Sequence, residues 1–255
     1  MTCERVDLVF APLLNDKAND MNFFIKSAVC ASAVMATSAM AEEWESSADL
    51  GLSLSKGNTD SSLFRTAVQT KKKDLHQSYF GALSYSYGEE DGEANEDEIL
   101  AKATYKQALE GRNFFGVRFD ARTDAFADID YRFSLNLTYG YYWIETEVEE
   151  LTTELGLGLT VEDKGEGRDA YLNGLFDQHY ERQLNEHAKV FQNLTFSPRL
   201  GDVSDYRIDF DAGIETKVTE TVAFKVTLEN RYESQPAEDK KSNDLKIIAG
   251  LSYTF

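Results

Sequence analysis

The residues best spaced for chemistry are Asp177, His179 and Glu181, in the segment Asp-Gln-His-Tyr-Glu. On an extended strand alternate residues share a face, so two carboxylates would flank one imidazole. A hydrolase of the phospholipase type would also need a serine beside the histidine, and the sequence fixes no such serine. Metal binding is disfavoured because the three side chains spread over about 13 Å of strand. We therefore predict no catalytic residue and no metal ligand.

Other chemistries lack their sequence signatures. Cys3 and Cys30 both precede the expected cleavage point, which leaves the mature chain without a thiolate for catalysis, a disulfide or a metal. The acidic stretch 89–97 lacks the residue order of a calcium-binding loop. No phosphate-binding glycine loop or dinucleotide fingerprint occurs, so we predict no cofactor. A formal net charge of −19 opposes nucleic-acid binding.

The beginning of the chain has the pattern of an export signal. Residues 21–41 are predicted to be a secretory signal peptide, with Lys26, a short apolar core and the cleavage site Ala39-Met40-Ala41. The apolar core is too short to span a bilayer. Residues 1–20 are interpreted as a mis-assigned upstream extension. The mature domain is then 42–255, exported by the Sec route.

The mature chain alternates apolar and polar residues and has few helix signals. Leu135 and Leu137 oppose Asn136, for example, which is the period of a strand. Such strands can cross a membrane with only every second residue apolar. We place strands at 46–55, 60–73, 76–87, 96–107, 112–124, 130–144, 149–161, 169–183, 187–198, 206–218, 221–234 and 244–255.

The connections between these strands favour a membrane barrel. Tight turns are expected after the even-numbered strands, and longer polar loops after the odd-numbered ones. This is the pattern of bacterial outer-membrane barrels, and an even strand count places both termini in the periplasm. We predict an all-β, up-and-down antiparallel transmembrane barrel of about 12 strands in a Gram-negative outer membrane. The longer loops are placed at 56–60, 88–95, 125–129, 162–168, 199–205 and 234–243.

The last strand carries a candidate assembly signal. Leu251, Tyr253 and Phe255 share one face and end in a C-terminal phenylalanine, as in strands recognised by the barrel-assembly machinery. That machinery is therefore a predicted partner, together with outer-membrane lipid and lipopolysaccharide. Oligomeric state is left open.

The polar face of the strands would point into the lumen. Its charges have both signs and allow two interpretations: a salt-bridge lattice that closes the lumen, which we prefer, or the lining of a water-filled passage. The candidates are Arg118, Asp120, Arg122, Arg132, Glu154, Asp177, His179, Arg207, Asp209, Asp211, Lys225, Glu229, Arg231 and Lys246.

Three segments carry a family resemblance. The first runs from Trp44 through alternating leucines to Gly57-Asn58-Thr59, the second is Gly140-Tyr-Tyr-Trp-Ile144 with Gly156-Leu-Gly158, and the third is the closing strand. In these the chain resembles the salt-induced outer-membrane protein family, a domain family of unknown function. The resemblance implies an outer-membrane β-barrel. Gly57 and Asn58 are interpreted as turn residues because both tolerate positive φ.

The predicted function is accordingly non-enzymatic. We expect a porin-like barrel with a structural or stress-related role, and a narrow pore stays open as a variant of it. Two alternatives belong to other classes: a membrane-embedded hydrolase that uses His179, and a soluble periplasmic β-sandwich that binds a ligand.

Overall fold

The computed structural model describes residues 44–55, 61–165 and 167–255. The expected signal peptide, the upstream extension and the turn Gly57-Asn58-Thr59 lie outside these ranges. Within them, no helix is long and apolar enough to cross a membrane. The strands are β1 (Glu45–Ser55), β2 (Ser61–Lys73), β3 (Gln77–Glu90), β4 (Glu93–Ala108), β5 (Asn113–Asp124), β6 (Ile129–Glu145), β7 (Glu149–Asp163), β8 (Arg168–Gln183), β9 (Ala188–Arg199), β10 (Asp202–Lys217), β11 (Val222–Glu233) and β12 (Asn243–Thr254).

The twelve strands form one closed antiparallel barrel. Each strand pairs with the next in the chain, and β12 returns to pair with β1 between Ser47↔Thr254 and Leu52↔Ala249. Closure gives each of the twelve described strands a neighbour on both sides, so none of them is a free sheet edge. The predicted all-β, up-and-down fold is confirmed.

The two ends of the barrel differ less than the sequence suggested. The terminal end carries Trp44, the first residue that the structure describes, and Phe255, and the opposite end is the loop end. The predicted loops 88–95 and 199–205 are wrong, because the strands continue and two-residue turns join them at 91–92 and 200–201. Asp91 (φ 51°) and Gly92 (φ 83°) both have the positive φ that a tight hairpin turn requires. At the loop end, 234–242 is the longest connection inside the described ranges.

A turn at the terminal end shows how short side chains stabilise the connections. The backbone N–H groups of His76 and Gln77 donate to Oδ1 of Asp74 at 2.9 and 2.8 Å. These two hydrogen bonds hold the pKa of Asp74 below its usual value. The backbone N–H groups of this turn between β2 and β3 therefore have hydrogen-bond partners, and no longer loop is needed.

The barrel carries its apolar side chains outside and its polar side chains inside. Leu137 is 54% exposed and Leu155 67% exposed, whereas their neighbours Asn136 and Glu154 are 2% and 5% exposed. A soluble sandwich would bury the apolar face instead. The exposed apolar surface therefore does not fit the sandwich alternative.

Aromatic side chains on the outer face contact each other near both ends. At the terminal end, the ring of Tyr79 lies 5.9 Å from Trp44 and 5.2 Å from Tyr105. At the loop end, the rings of Phe196 and Tyr206 lie 5.6 Å apart. Aromatic girdles on either side of an apolar band are typical of membrane barrels.

Candidate functional site in the barrel lumen

Inward-facing glycines make room for large side chains on neighbouring strands. Phe114 of β5 is only 1% exposed and lies opposite Gly140 of β6 in register. A Cβ on Gly140 would overlap the Phe114 ring, and a Cβ on Gly213 would overlap Phe191. Part of the lumen is thus filled by aromatic rings that lie over glycines.

Glu233 of β11 connects opposite walls of the barrel. Its carboxylate accepts two hydrogen bonds from the Arg132 guanidinium of β6, at 2.5 and 3.2 Å. Arg122 of β5 lies 3.5 Å from the same carboxylate, and so does Lys164 of the connection between β7 and β8. Strands β5 and β11 are six steps apart in a ring of twelve. These contacts therefore cross the full width of the lumen.

Glu98 of β4 is a second bridge between distant strands. It is 4% exposed and lies 2.7 Å from Nε of Arg122 and 3.8 Å from Nε of Arg231. These are charge contacts, because the three atoms involved make no aligned hydrogen bond. Arg231 also lies 3.5 Å from Asp209 and from Glu229. The charges thus form one connected network, which we call the lumen lattice.

Further ion pairs extend the lumen lattice around the wall. All of them join strands that are not neighbours, so each crosses part of the lumen. They are Arg65 with Glu229, Lys246 with Glu96 at 2.6 Å, and Lys225 with Asp49 at 3.2 Å.

Arg118 organises a separate group of polar side chains. Its guanidinium donates to Asp177 at 2.5 Å and to Asp120 at 2.9 Å. The Thr195 hydroxyl also donates to Asp177, at 2.6 Å. Asp177 is thereby hydrogen-bonded from two sides, so its charge is balanced within the wall.

Two lysines form ion pairs across the lumen towards the terminal end. Lys106 of β4 lies 2.7 Å from Glu154 of β7. Lys73 of β2 reaches Glu145 at 3.5 Å and Glu150 at 3.1 Å, on the far side of the barrel. The terminal end is therefore also crossed by charged side chains.

The connection 234–242 lies against the other connections at the loop end. Lys240 pairs with Asp128 of the connection between β5 and β6, at 3.1 Å. The carbonyl of Gln235 accepts a hydrogen bond from Lys164 at 3.1 Å, and its side chain donates to Ser204 at 3.4 Å. These contacts hold this connection over the mouth of the barrel.

His179 is held by an amide and not by a carboxylate. Its Nδ1 lies 2.6 Å from Oδ1 of Asn193, while Asp177 is engaged by arginine and threonine. Glu181 lies 3.6 Å from Lys189. Within the described ranges, no three or more histidines, cysteines or acids are grouped to hold a metal ion. The arrangement lacks the carboxylate–imidazole contact that a hydrolytic triad uses.

The residues named from the sequence are joined mainly by ion pairs. Arg207 instead donates to the Tyr171 hydroxyl at 2.6 Å, and Oδ1 of Asp211 is buried without a hydrogen-bond partner. Members that form ion pairs are Arg118, Asp120, Arg122, Arg132, Glu154, Asp177, Asp209, Lys225, Glu229, Arg231 and Lys246.

Sequence reasoning missed several partners in this network. Glu98 is not recognisable as lumen-facing from the sequence, because Leu100 interrupts the polar face of β4 and makes its alternation irregular. Glu162 falls in the predicted loop 162–168, whereas β7 continues to Asp163 and places it beside Arg132. Both glutamates continue the period-two pattern of their strands past the apolar residues, and this pattern is the signal that could have placed them on the inner face.

A small cavity remains in the middle of the lumen. Its volume is about 70 Å³, which corresponds to about five water molecules. Arg118, Arg122, Arg132 and Arg231 contribute to its wall, with Asn136 and Asn173 between them. Arginines from β5, β6 and β11 therefore reach this cavity from opposite sides of the barrel.

Comparison with known proteins agrees with this architecture. A model of a protein family of unknown function, DUF481, matches residues 48–255. The chain belongs to the DUF481 family. The description of DUF481 names no activity and does not mention salt. No curated protein matches the chain.

Solved structures of similar fold are outer-membrane barrels. The NanC porin is 7% identical with a TM-score of 0.54, over 82% of this DUF481 chain and 100% of the porin. The translocator domain of the autotransporter NalP from Neisseria meningitidis is 11% identical with a TM-score of 0.47, over 94% and 98% of the chains. At 7% identity the similarity to the NanC porin shows a shared fold and nothing about transport.

Proposed function

We propose that this DUF481 protein is a non-enzymatic structural barrel of the outer membrane, with a lumen that is closed at rest. The observation that carries the proposal is the position of Glu233, which joins Arg122 and Arg132 across the lumen. Opposite charges at such distances attract strongly where water is largely excluded. Ions could pass through the lumen only if these side chains separated.

The membrane location is supported by the outer surface. Leucines along the outer face are more than half exposed, as Leu52 and Leu157 are at 54% and 63%. Contiguous apolar surface of this extent is unfavourable in water and favourable in lipid. The predicted signal peptide supplies the export route. The stress-related role rests on the family resemblance alone.

The proposal also includes assembly by the barrel-assembly machinery and contact with lipopolysaccharide. Leu251, Tyr253 and Phe255 are 53%, 48% and 49% exposed on the outer face of β12. An exposed apolar row at the chain end is available to an assembly factor before the barrel closes. With the termini in the periplasm, the connections of the loop end would face the lipopolysaccharide leaflet.

Conductance across a planar bilayer tests the closed lumen. We expect the wild-type barrel to show little steady current, because charged side chains cross the lumen at several levels. The double variant Arg122→Ala, Arg231→Ala should increase single-channel conductance several-fold by removing two long side chains beside the cavity. Arg112→Ala, Arg182→Ala is the control, since both residues are exposed. A large, steady wild-type current would contradict the proposal.

Replacement of the last residue tests the assembly route. We expect Phe255→Ala to reduce the heat-modifiable, folded protein recovered in the outer-membrane fraction, because the apolar row loses its terminal ring. Leu109→Ala is a suitable control, since Leu109 is 46% exposed in the turn between β4 and β5. Equal recovery of the two variants would argue against recognition of the C-terminal row.

A further inference from the structure

The wall of the central cavity is richer in bases than in acids. Three acids line it, Asp120, Asp209 and Glu233, in a chain with a formal net charge of −19. The bases lining it are twice as many: Lys102, Arg118, Arg122, Arg132, Arg207 and Arg231. Arg118, Arg122, Arg132 and Arg231 are paired with acids just outside the lining, namely Asp177, Glu98, Glu162 and Glu229, so Arg207 and Lys102 are the bases of the lining that need a partner.

Arg207 has no carboxylate within ion-pair distance in the part of the chain that the structure describes. Its register partner on β11 is Glu233, whose carboxylate is engaged by Arg132. Arg207 instead donates one hydrogen bond, from Nη1 to the Tyr171 hydroxyl at 2.6 Å. A guanidinium has five N–H donors, so most of this group is left available for an anion.

Lys102 of β4, on the opposite wall, also lacks a carboxylate partner among the described residues. Its register partner on β5 is Asp120, whose carboxylate is engaged by Arg118 at 2.9 Å. No carboxylate of the described ranges lies within 4 Å of the Lys102 ammonium, which also lines the cavity. Arg207 and Lys102 are therefore two cavity cations whose register partners are engaged by other arginines.

Neutral donors complete the wall. Ser197 of β9 is 9% exposed, is paired in register with Arg207 and lines the cavity. Ser134 of β6 lines it as well, but its hydroxyl donates to Thr160 Oγ1 at 2.9 Å, because Thr160 itself donates to Asn173. The Ser197 hydroxyl, a guanidinium and an ammonium form a donor set suited to the oxygens of an anion, and hydrogen bonds to such ions are short and strong.

We propose that the cavity binds one small tetrahedral oxyanion, phosphate or sulfate, between Arg207 and Lys102. The volume supports this class of ligand, since about 70 Å³ holds about five water molecules and such an anion has five heavy atoms. The bound anion contacts these two cations, neither of which has a carboxylate within ion-pair distance in the described part of the chain, and links the walls formed by β4 and β10. This site goes beyond the proposed structural role and does not depend on the membrane location.

Isothermal titration calorimetry on the full chain, folded in detergent micelles, tests the site. Phosphate and sulfate are titrated separately, with rubidium chloride at equal ionic strength as the comparison. We expect one oxyanion per barrel and no comparable heat from rubidium chloride. Arg207→Gln and Lys102→Gln should each weaken binding about tenfold or more, because each removes a charge-assisted contact. Arg207→Lys should reduce the affinity for the anion less than Arg207→Gln does, because lysine keeps the positive charge.

An exposed arginine provides the control for these variants. Arg182→Gln removes an exposed arginine outside the cavity and should leave the affinity unchanged. Heat-modifiable migration shows that each variant is folded. Binding of one oxyanion alone identifies the ligand. Absence of binding by both anions, or undiminished binding by the Arg207→Gln, Lys102→Gln double variant, overturns the site. An open wild-type lumen in bilayers would overturn the closed barrel and leave this result unaffected.

Discussion

Replacement of Leu137 by arginine is expected to destabilise the barrel in lipid by about 2–4 kcal/mol, the range for a cation at the bilayer midplane. Leu137 lies at the centre of β6 (Ile129–Glu145) and is 54% exposed on the outer face. If that face contacts lipid, the guanidinium must enter hydrocarbon or distort the bilayer. Urea unfolding of the protein in vesicles, followed by tryptophan fluorescence, measures the loss.

Val218→Arg is the matched control for this substitution. Val218 is 65% exposed and lies in the turn after β10, so its side chain is as open as that of Leu137 but beyond the strands. We expect a change of at most about 1 kcal/mol, as for sites near the membrane interface. Equal, small effects at both positions would mean that water surrounds the barrel, because exposed substitutions in water change stability little.

Glu233→Gln should have a comparable effect on unfolding for a different reason. Arg132 is 7% exposed at its side chain and Glu233 15% exposed, and the substitution removes the negative charge that faces two arginines and a lysine. Removal of one member of a buried ion pair leaves its partner uncompensated, at a loss of about 3 kcal/mol. The remaining contact of Arg132 with Glu162 limits the loss.

The same unfolding measurement includes Glu220→Gln as control. Glu220 is exposed in the turn between β10 and β11, and we expect its replacement to change stability by less than about 0.5 kcal/mol. If Glu233→Gln unfolds like Glu220→Gln, the lumen lattice contributes no net stability. The proposal that it keeps the lumen closed would then rest on conductance alone.

Much of the fold could be predicted because its signals are local. Leu135 and Leu137 against Asn136 define a strand and its two faces without knowledge of any other strand. The strand count of twelve is confirmed, and most boundaries differ by one or two residues. The errors concentrate at the loop end, where 88–95 and 199–205 were predicted as loops. Polar residues there are compatible with strands because neither face needs to be apolar beyond the lipid-facing band.

The candidate site was predictable only in part. Alternation indicates that Arg122 and Arg132 share the polar face, since each residue sits two positions from other polar residues. It does not indicate that both meet Glu233, because that contact depends on which strands face each other after closure. Nor does it show that the register partners of Arg207 and Lys102 are engaged elsewhere, which is the basis of the anion site.

The sequence by itself determined the strands, their two faces and the order in which they pair, because side-chain alternation and short connections are properties of neighbouring residues. Only the tertiary structure decided which charges neutralise each other across the lumen and which cations lack an ion-pair partner within the described ranges. The physical reason is that ion pairing acts through space. Glu233 and Arg132 are separated by about a hundred residues and meet only because twelve strands close into a ring.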